Sequence, residues 1–290
     1  MDIKNILVIG AGTMGHGISL VAARSGFDVS LVDVTDEILE KAMVQIKRFL
    51  DGSVKRGKIT QEDFDATLSK IRLSTNLKEG AREADFLIES VVEDQEIKSS
   101  LFSQLNEICK KEIIFATNTS QLSITSLGEA SNRPSRFIGM HWFNPPPIMR
   151  LIEIPMGLKT SKETVDTVVQ LSKKMGKNPF PCKDSPGFIV NRILNPWYNE
   201  GMNILDEGVA TAEDIDTAVK AGGGFRMGPL ELRDMVGLDT ALHIHEYLYQ
   251  RLGNDKFKPP FCLKQLVAAG NLGRKTGKGF FDYTKTKKEQ

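Results

Sequence analysis

Several stretches of this 290-residue sequence carry residues that could do chemistry together. Gly10-Ala11-Gly12-Thr13-Met14-Gly15 follows the apolar run Ile6-Leu7-Val8-Ile9 and opens a stretch of small, apolar residues. In that setting a G-x-G-x-x-G loop cradles a pyrophosphate. Gly10 allows the tight turn, Gly12 lets backbone approach the anion, Gly15 lets helix and strand pack, and the helix N-terminus offers free N–H donors. Thr13 and Met14 lie in the same loop and are expected to share the cofactor contact. Asp33 stands eighteen residues past Gly15, at the end of the run Val29 to Val32. A carboxylate there accepts from both ribose hydroxyls and repels a 2′-phosphate, which favours NAD over NADP. An ordinary glycine turn plus a surface acid is the alternative; strand, loop, helix and acid in this order favour a dinucleotide.

Oxidising an alcohol with a nicotinamide also needs a base for the hydroxyl proton and a partner that orients the base. Histidine suits that work because the ordinary pKa of imidazole lies near neutrality. Of the four histidines, His16 falls on the first helix and His243 and His245 in the C-terminal region. His141 alone ends a predicted strand, within His141-Trp142-Phe143-Asn144-Pro145-Pro146-Pro147. Glu153, an acid in the otherwise apolar run Leu151-Ile152-Glu153-Ile154, is its natural partner. On sequence alone a satisfied core histidine and a water-facing edge acid stay open. Glu93 and Asn118-Thr119-Ser120 also follow apolar runs, and in an open parallel sheet ligands sit outside the carboxyl ends of the strands.

The elements that must position these groups alternate through the first two thirds of the chain. Short apolar runs recur at Phe86-Leu87-Ile88, Ile113 to Ala116 and Phe137 to Met140, with helical stretches between them. One helix carries Ile38, Ala42, Ile46 and Phe49 on a face and another Ile97, Leu101, Leu105 and Ile108. Runs too continuous for half-exposed strands, separated by helices, predict a doubly wound parallel α/β sheet of Rossmann type. Leu151 to Ile154 is expected as an edge strand, followed by a helix that Thr160 caps with Glu163 reaching back. Beyond Lys183-Asp184-Ser185-Pro186-Gly187 the sequence reads as mostly helical, with Thr211 and Asp214 as a second capping box. Two domains are therefore expected, residues 1–185 binding the dinucleotide and residues 186–290 forming a smaller all-α domain.

Composition narrows the function classes. Hydrophobic residues make up 40% and charged residues 26%, enough for a sizeable core and a hydrated surface. Lys plus Arg number 38 against 37 Asp plus Glu, a net charge of +1, which argues against a nucleic-acid partner. Cys109, Cys182 and Cys262 are widely spaced and suggest neither a disulfide frame nor a metal site. No signal peptide and no apolar run of about 20 residues is evident, so a cytoplasmic protein without membrane association is expected. A methyltransferase would have less use for the third glycine of the loop. A short-chain dehydrogenase would need a Tyr-x-x-x-Lys pair, found only as Tyr283 and Lys287 in the polar tail. Gly273 to Gly279 lacks P-loop spacing and reads as a turn-rich closing segment.

Together Gly10–Gly15, Asp33, Asn118-Thr119-Ser120, His141-Trp142-Phe143-Asn144-Pro145, Leu151-Ile152-Glu153 and Ser185-Pro186-Gly187-Phe188-Ile189-Val190-Asn191-Arg192 resemble the 3-hydroxyacyl-CoA dehydrogenases over essentially the whole chain. The single-function bacterial 3-hydroxybutyryl-CoA enzymes look most similar. That resemblance implies reversible, NAD-dependent oxidation of an L-3-hydroxyacyl-CoA. His141 would be the base, Glu153 its electrostatic partner, and Ser120 and Asn191 would hydrogen-bond the substrate's oxygens. Asn144 would fix the histidine environment and the nicotinamide, and Asn118, Ser120, Glu93 and Lys98 would contact the cofactor, with Lys275 a further candidate. The helical domain would contribute Asn191 and form a homodimer; Met227-Gly228-Pro229-Leu230 and Gly237-Leu238-Asp239 resemble its signatures. Lys55, Arg56 and Lys58 read first as a solvated basic turn, with coenzyme A phosphates as the alternative. A 3-hydroxy-acid dehydrogenase acting on a free sugar acid, which shares the His–Glu–Asn arrangement, is the competing activity.

Overall fold

The computed structural model describes residues 2–284; Lys287, of the Tyr-x-x-x-Lys spacing, lies outside them. The chain forms two compact units, one up to Phe188 and one from Ile189 onward. The first holds six parallel strands: β1 (Asn5–Ile9), β2 (Asp28–Val32), β3 (Ile71–Ser74), β4 (Phe86–Glu89), β5 (Ile114–Thr117) and β6 (Phe137–Gly139). Their spatial order is β3-β2-β1-β4-β5-β6. That is the expected Rossmann arrangement, and the order reverses between β1 and β4, where such sheets bind ligands.

Burial explains the strand sequences. Leu7, Val8, Phe86, Leu87, Ile88, Phe115 and Ala116 are all fully enclosed, because helices cover both faces of the sheet. These helices are α1 (Thr13–Arg24), α2 (Asp36–Lys55), α3 (Gln61–Ser69), α4 (Leu77–Ala81), α5 (Gln95–Ile108) and α6 (Ile124–Ala130). In α2, capped by the Thr35 side chain, Leu39, Ala42, Ile46 and Leu50 face the core, while Ile38 and Phe49 pack at its margin. The stripe is rotated by one residue from the expected one. In α5 the difference carries more meaning: Lys98, Phe102 and Leu105 are buried and Ile97 is 51% exposed. An apolar-periodicity reading passes over a buried lysine.

A second, three-stranded sheet sits beyond β6. It consists of β7 (His141–Trp142), β8 (Leu151–Met156) and β9 (Asn178–Lys183). β8 is its central strand rather than an edge, antiparallel to β7 and parallel to β9. Pro179 and Pro181 hide β9 in the sequence, since proline is confined to sheet edges and β9 is an edge. Gly139, at the end of β6, has no room for a side chain because the Pro155 ring of β8 abuts it. The intervening helix α7 (Lys162–Lys174) is capped by Ser161, whose hydroxyl accepts from the Thr164 N–H; the hydroxyl of Thr160 donates instead to the Phe137 carbonyl.

The second unit is helical: α8 (Val190–Asp206), α9 (Ala212–Gly223), α10 (Pro229–Val236), α11 (Leu238–Leu252) and α12 (Phe261–Ala268). Its core gathers Tyr198, Met202, Ile215, Leu230, Leu238, Ala241 and Leu263. Thr211 caps α9 by accepting from the Asp214 N–H, and its hydroxyl donates to the Asp214 carboxylate. Among the described residues no helix is long and apolar enough to cross a membrane.

Candidate active site

The glycine loop joins β1 to α1, and its glycines answer to different constraints. Gly10 has φ +93°, and a Cβ there would lie 2.5 Å from the Ser90 carbonyl oxygen. A Cβ on Gly15 would overlap the Gly10 carbonyl. Gly12 is different: its φ of −64° suits any residue, and a Cβ would meet nothing within 4 Å. Nothing in the protein itself calls for glycine at this position, so the reason lies in a ligand that comes close to the backbone. No side chain caps α1, so its first N–H groups face outward without a local acceptor. Asp33, at the end of β2, accepts from the Ala11 N–H (2.6 Å) and the Val34 N–H (2.6 Å), which fixes its carboxylate beside the loop. The residues present thus fit a dinucleotide. Gly12→Ala is expected to leave the melting temperature unchanged while weakening NADH binding, measured by fluorescence titration; unchanged affinity would remove the ligand explanation for this glycine.

Beyond β4 lies a buried polar network. The Glu89 carboxylate, fully enclosed at the end of β4, accepts from Lys98 Nζ (2.5 Å), the Val91 N–H (2.7 Å) and the Thr117 hydroxyl (2.6 Å). Lys98 is itself fully buried and also reaches Glu93 Oε2 at 3.5 Å. Glu93 in turn accepts from the Thr119 hydroxyl (2.6 Å) and the Ser120 N–H (2.7 Å). Lys98, expected to touch the cofactor, is instead enclosed and reaches Glu93, which in turn meets the turn bearing Ser120. Glu89 was not among the expected site residues; an acid closing the buried run Phe86-Leu87-Ile88 was its signal. Asn118 ties strand ends together, its Oδ1 accepting from the Trp142 N–H (2.9 Å) and its Nδ2 donating to the Ser90 hydroxyl (3.2 Å).

His141 and Glu153 face each other across β7 and β8 as direct register partners. His141 Nδ1 lies 2.7 Å from Glu153 Oε2, with Glu153 fully buried and the histidine 6% exposed. A carboxylate only accepts, so in the neutral tautomer that suits this contact Nδ1 carries the proton and Nε2 the lone pair. The rings of Phe143 (4.6 Å) and Phe188 (5.6 Å) flank the imidazole. Asn144 is exposed just beyond Phe143. Burial, followed by the charge of Glu153, pushes the Cys182 thiol of β9 up to about 12, so that cysteine stays protonated. Two expected residues belong to the helical unit: Asn191, in the first turn of α8, and Lys275, whose Nζ pairs with Asp239 at 2.5 Å.

A further feature comes from residues far apart in sequence. Arg24, Arg56, Lys58, Arg150, Lys174 and Lys177 line one cavity of about 630 Å³, together with Phe49, Ser53, Pro147 and Ile148. Among the described residues no acidic side chain lines it. Arg56 and Lys58 are exposed, as a basic turn should be, yet they also share this cavity.

Fold and site define the class: a dinucleotide-dependent dehydrogenase. Comparison with known proteins gives the family. The profile for the 3-hydroxyacyl-CoA dehydrogenase NAD-binding domain matches residues 5–185, and that for the C-terminal domain of the same family matches residues 187–283. A probable 3-hydroxybutyryl-CoA dehydrogenase of Deinococcus radiodurans is 47% identical, over 95% of this chain and 99% of that protein. The mitochondrial hydroxyacyl-coenzyme A dehydrogenase of Sus scrofa is 43% identical over 97% and 91%. The crystal structure of (S)-3-hydroxybutyryl-CoA dehydrogenase from Ralstonia eutropha superposes with a TM-score of 0.94 at 42% identity, covering 98% of this chain and all of that one. The chain belongs to the 3-hydroxyacyl-CoA dehydrogenase family and is an NAD-dependent oxidoreductase.

Proposed function

We propose that this protein interconverts a short-chain L-3-hydroxyacyl-CoA, with 3-hydroxybutyryl-CoA as the representative substrate, and the corresponding 3-ketoacyl-CoA. The observation that carries the reading is the 2.7 Å contact between His141 and the buried Glu153, outside the carboxyl ends of the parallel strands. Nε2 of His141 takes the proton of the C3 hydroxyl as the C3–H bond gives up its hydride and the ketone forms. Bound NAD supplies the hydride acceptor. Glu153 holds the ring by its Nδ1–H and offsets the positive charge of the imidazolium. Ser120 and Asn191 hydrogen-bond the substrate oxygens, Asn144 secures the histidine surroundings, and Lys275 contributes from the helical unit. Gly10, Gly12, Thr13, Met14, Gly15, Asp33, Glu93 and Asn118 hold or frame the cofactor, Glu93 being set in place by Lys98.

The basic cavity favours an acyl-CoA over a free sugar acid. Coenzyme A brings a diphosphate and a 3′-phosphate that match six cationic side chains, whereas a free sugar acid brings a single carboxylate. Reduction of acetoacetyl-CoA by NADH, compared with NADPH and with a series of longer 3-ketoacyl-CoA substrates, tests the reading; absence of NADH consumption with every one of them overturns it. Glu153→Gln is expected to lower kcat about tenfold to a hundredfold while leaving NADH affinity unchanged, since its carboxylate acts only on the imidazole. An equal loss of NADH binding would contradict that role. The reading extends to a cytoplasmic homodimer formed through the helical unit, where Ile193 (65%), Val209 (70%) and Phe261 (67%) expose apolar surface; light scattering checks the stoichiometry.

A further inference from the structure

Lys177 follows the end of α7 and leads into β9. Its ammonium has three N–H donors. Two are engaged, with the carbonyl oxygens of Pro146 at 2.5 Å and Met149 at 2.8 Å. Both acceptors belong to the segment that continues from His141 and Trp142. Nζ also lies 5.5 Å from the centroid of the Trp142 ring, and Trp142 is the residue next to His141. The same lysine lines the basic cavity beside Arg150 and Arg24. Pro146, one of its two acceptors, packs against α1 at Gly17, where an added Cβ would come within 2.9 Å of the proline ring. One side chain thus links the cavity wall to the backbone that carries the imidazole.

The electrostatics point the same way. Burial, then Arg150 and Arg24, lower the Lys177 pKa to about 8. An ammonium in that surrounding is poorly stabilised until an anion enters the cavity. The side chain is still mostly an ammonium at neutral pH, so an anion in the cavity acts on it by taking the third donor and fixing the position of Nζ and of the two carbonyls it holds.

We infer that Lys177 couples occupancy of the basic cavity to the placement of the His141 segment, so that phosphate bound there activates the catalytic centre. The inference rests on the acyl-CoA reading above, in which the phosphates are those of the substrate's own coenzyme A. Binding energy from a part of the substrate that does not react is then spent on positioning the base. Lys177 is a positioning residue, acting on His141 through the segment it holds.

Supplying the substrate in two pieces tests this. Acetoacetyl-N-acetylcysteamine carries the reacting thioester without phosphates, and adenosine 3′,5′-bisphosphate carries phosphates without the thioester. The nucleotide is expected to raise the kcat for NADH-dependent reduction of the short thioester about tenfold in the wild type, and to have no such effect in Lys177→Met. A lysine with a purely structural role would lower turnover equally with and without the nucleotide, and a preserved stimulation factor in the variant overturns the inference. Should Lys177→Met fail to fold, Trp197→Phe leaves Trp142 as the single indole, since the chain has two tryptophans. Its emission is then expected to shift as bisphosphate is added, and constant emission overturns the coupling. Wild type that reduces acetoacetyl-CoA normally but shows no stimulation with the two pieces sinks the coupling alone. Failure to reduce acetoacetyl-CoA removes the proposed function as well.

Discussion

His141→Gln is expected to lower the kcat of acetoacetyl-CoA reduction about a thousandfold, within the usual span for loss of a general acid–base group, with NADH affinity unchanged. Glutamine places an uncharged amide near the former Nε2 position, where it can neither accept nor return the C3 proton. It also leaves the buried Glu153 carboxylate without the Nδ1–H donor that it has at 2.7 Å. His141→Asn separates these two losses. Asparagine sets an amide N–H near the former Nδ1 position, so the contact with Glu153 is retained while Nε2 is gone. Both variants should be comparably inactive in steady-state assays, and only His141→Gln should also melt earlier. NADH titration checks that the dinucleotide loop, which follows β1 at the sheet switch point, is intact in each. Wild-type turnover in either variant would disprove the assignment of the base.

Lys98→Met is expected to cost about 3–5 kcal/mol, because it strands an ionised Glu89 in the interior. The Thr117 hydroxyl and Val91 N–H still reach Glu89, yet neither supplies a charge. For a unit of this size that loss corresponds to a fall in Tm of about 10 °C, measurable by calorimetry. The double variant Lys98→Met/Glu89→Gln removes both charges and should recover most of the loss, since a neutral amide is far less costly to enclose than a lone carboxylate. The double variant should still bind NADH weakly, because Glu93 has lost the ammonium 3.5 Å away that helps fix it against the Ser120 N–H. Wild-type melting of Lys98→Met alone would show that Glu89 is not ionised in the fold.

The sequence made the dinucleotide loop legible because its logic is local: strand, glycines, helix and acid fall within Asn5 to Asp33 and need no distant partner. His141 and Glu153 were nearly as legible, since each polar group interrupts or ends an apolar run. What alternation and periodicity could not show was that the two lie opposite each other in a separate small sheet, because Pro179 and Pro181 disguise the strand that completes it. Glu89 escaped for a different reason, and so did the burial of Lys98, which was expected to contact the cofactor and instead pairs with Glu89 in the interior. Burial patterns are read from apolar residues, and a buried ion pair presents one face of α5 as if it were solvated. Ser161 displaced Thr160 as the α7 cap because the Thr160 hydroxyl has a tertiary acceptor at Phe137. Of the basic cavity only Arg56 and Lys58 were visible, read first as a solvated turn; the other cations are scattered from Arg24 to Lys177 along the chain and meet only in the fold.

Gly139 gives the architecture a last consequence. The last strand of the large sheet meets the small sheet where the Pro155 ring fills the space a side chain would take. His141 and Glu153 stand on the small sheet and the dinucleotide loop on the large one, so this close fit, with the Asn118–Trp142 hydrogen bond, helps set how the two sheets align. A methyl group added there would act as a shim, tilting the acid–base couple away from its station without touching any group that takes part in the reaction.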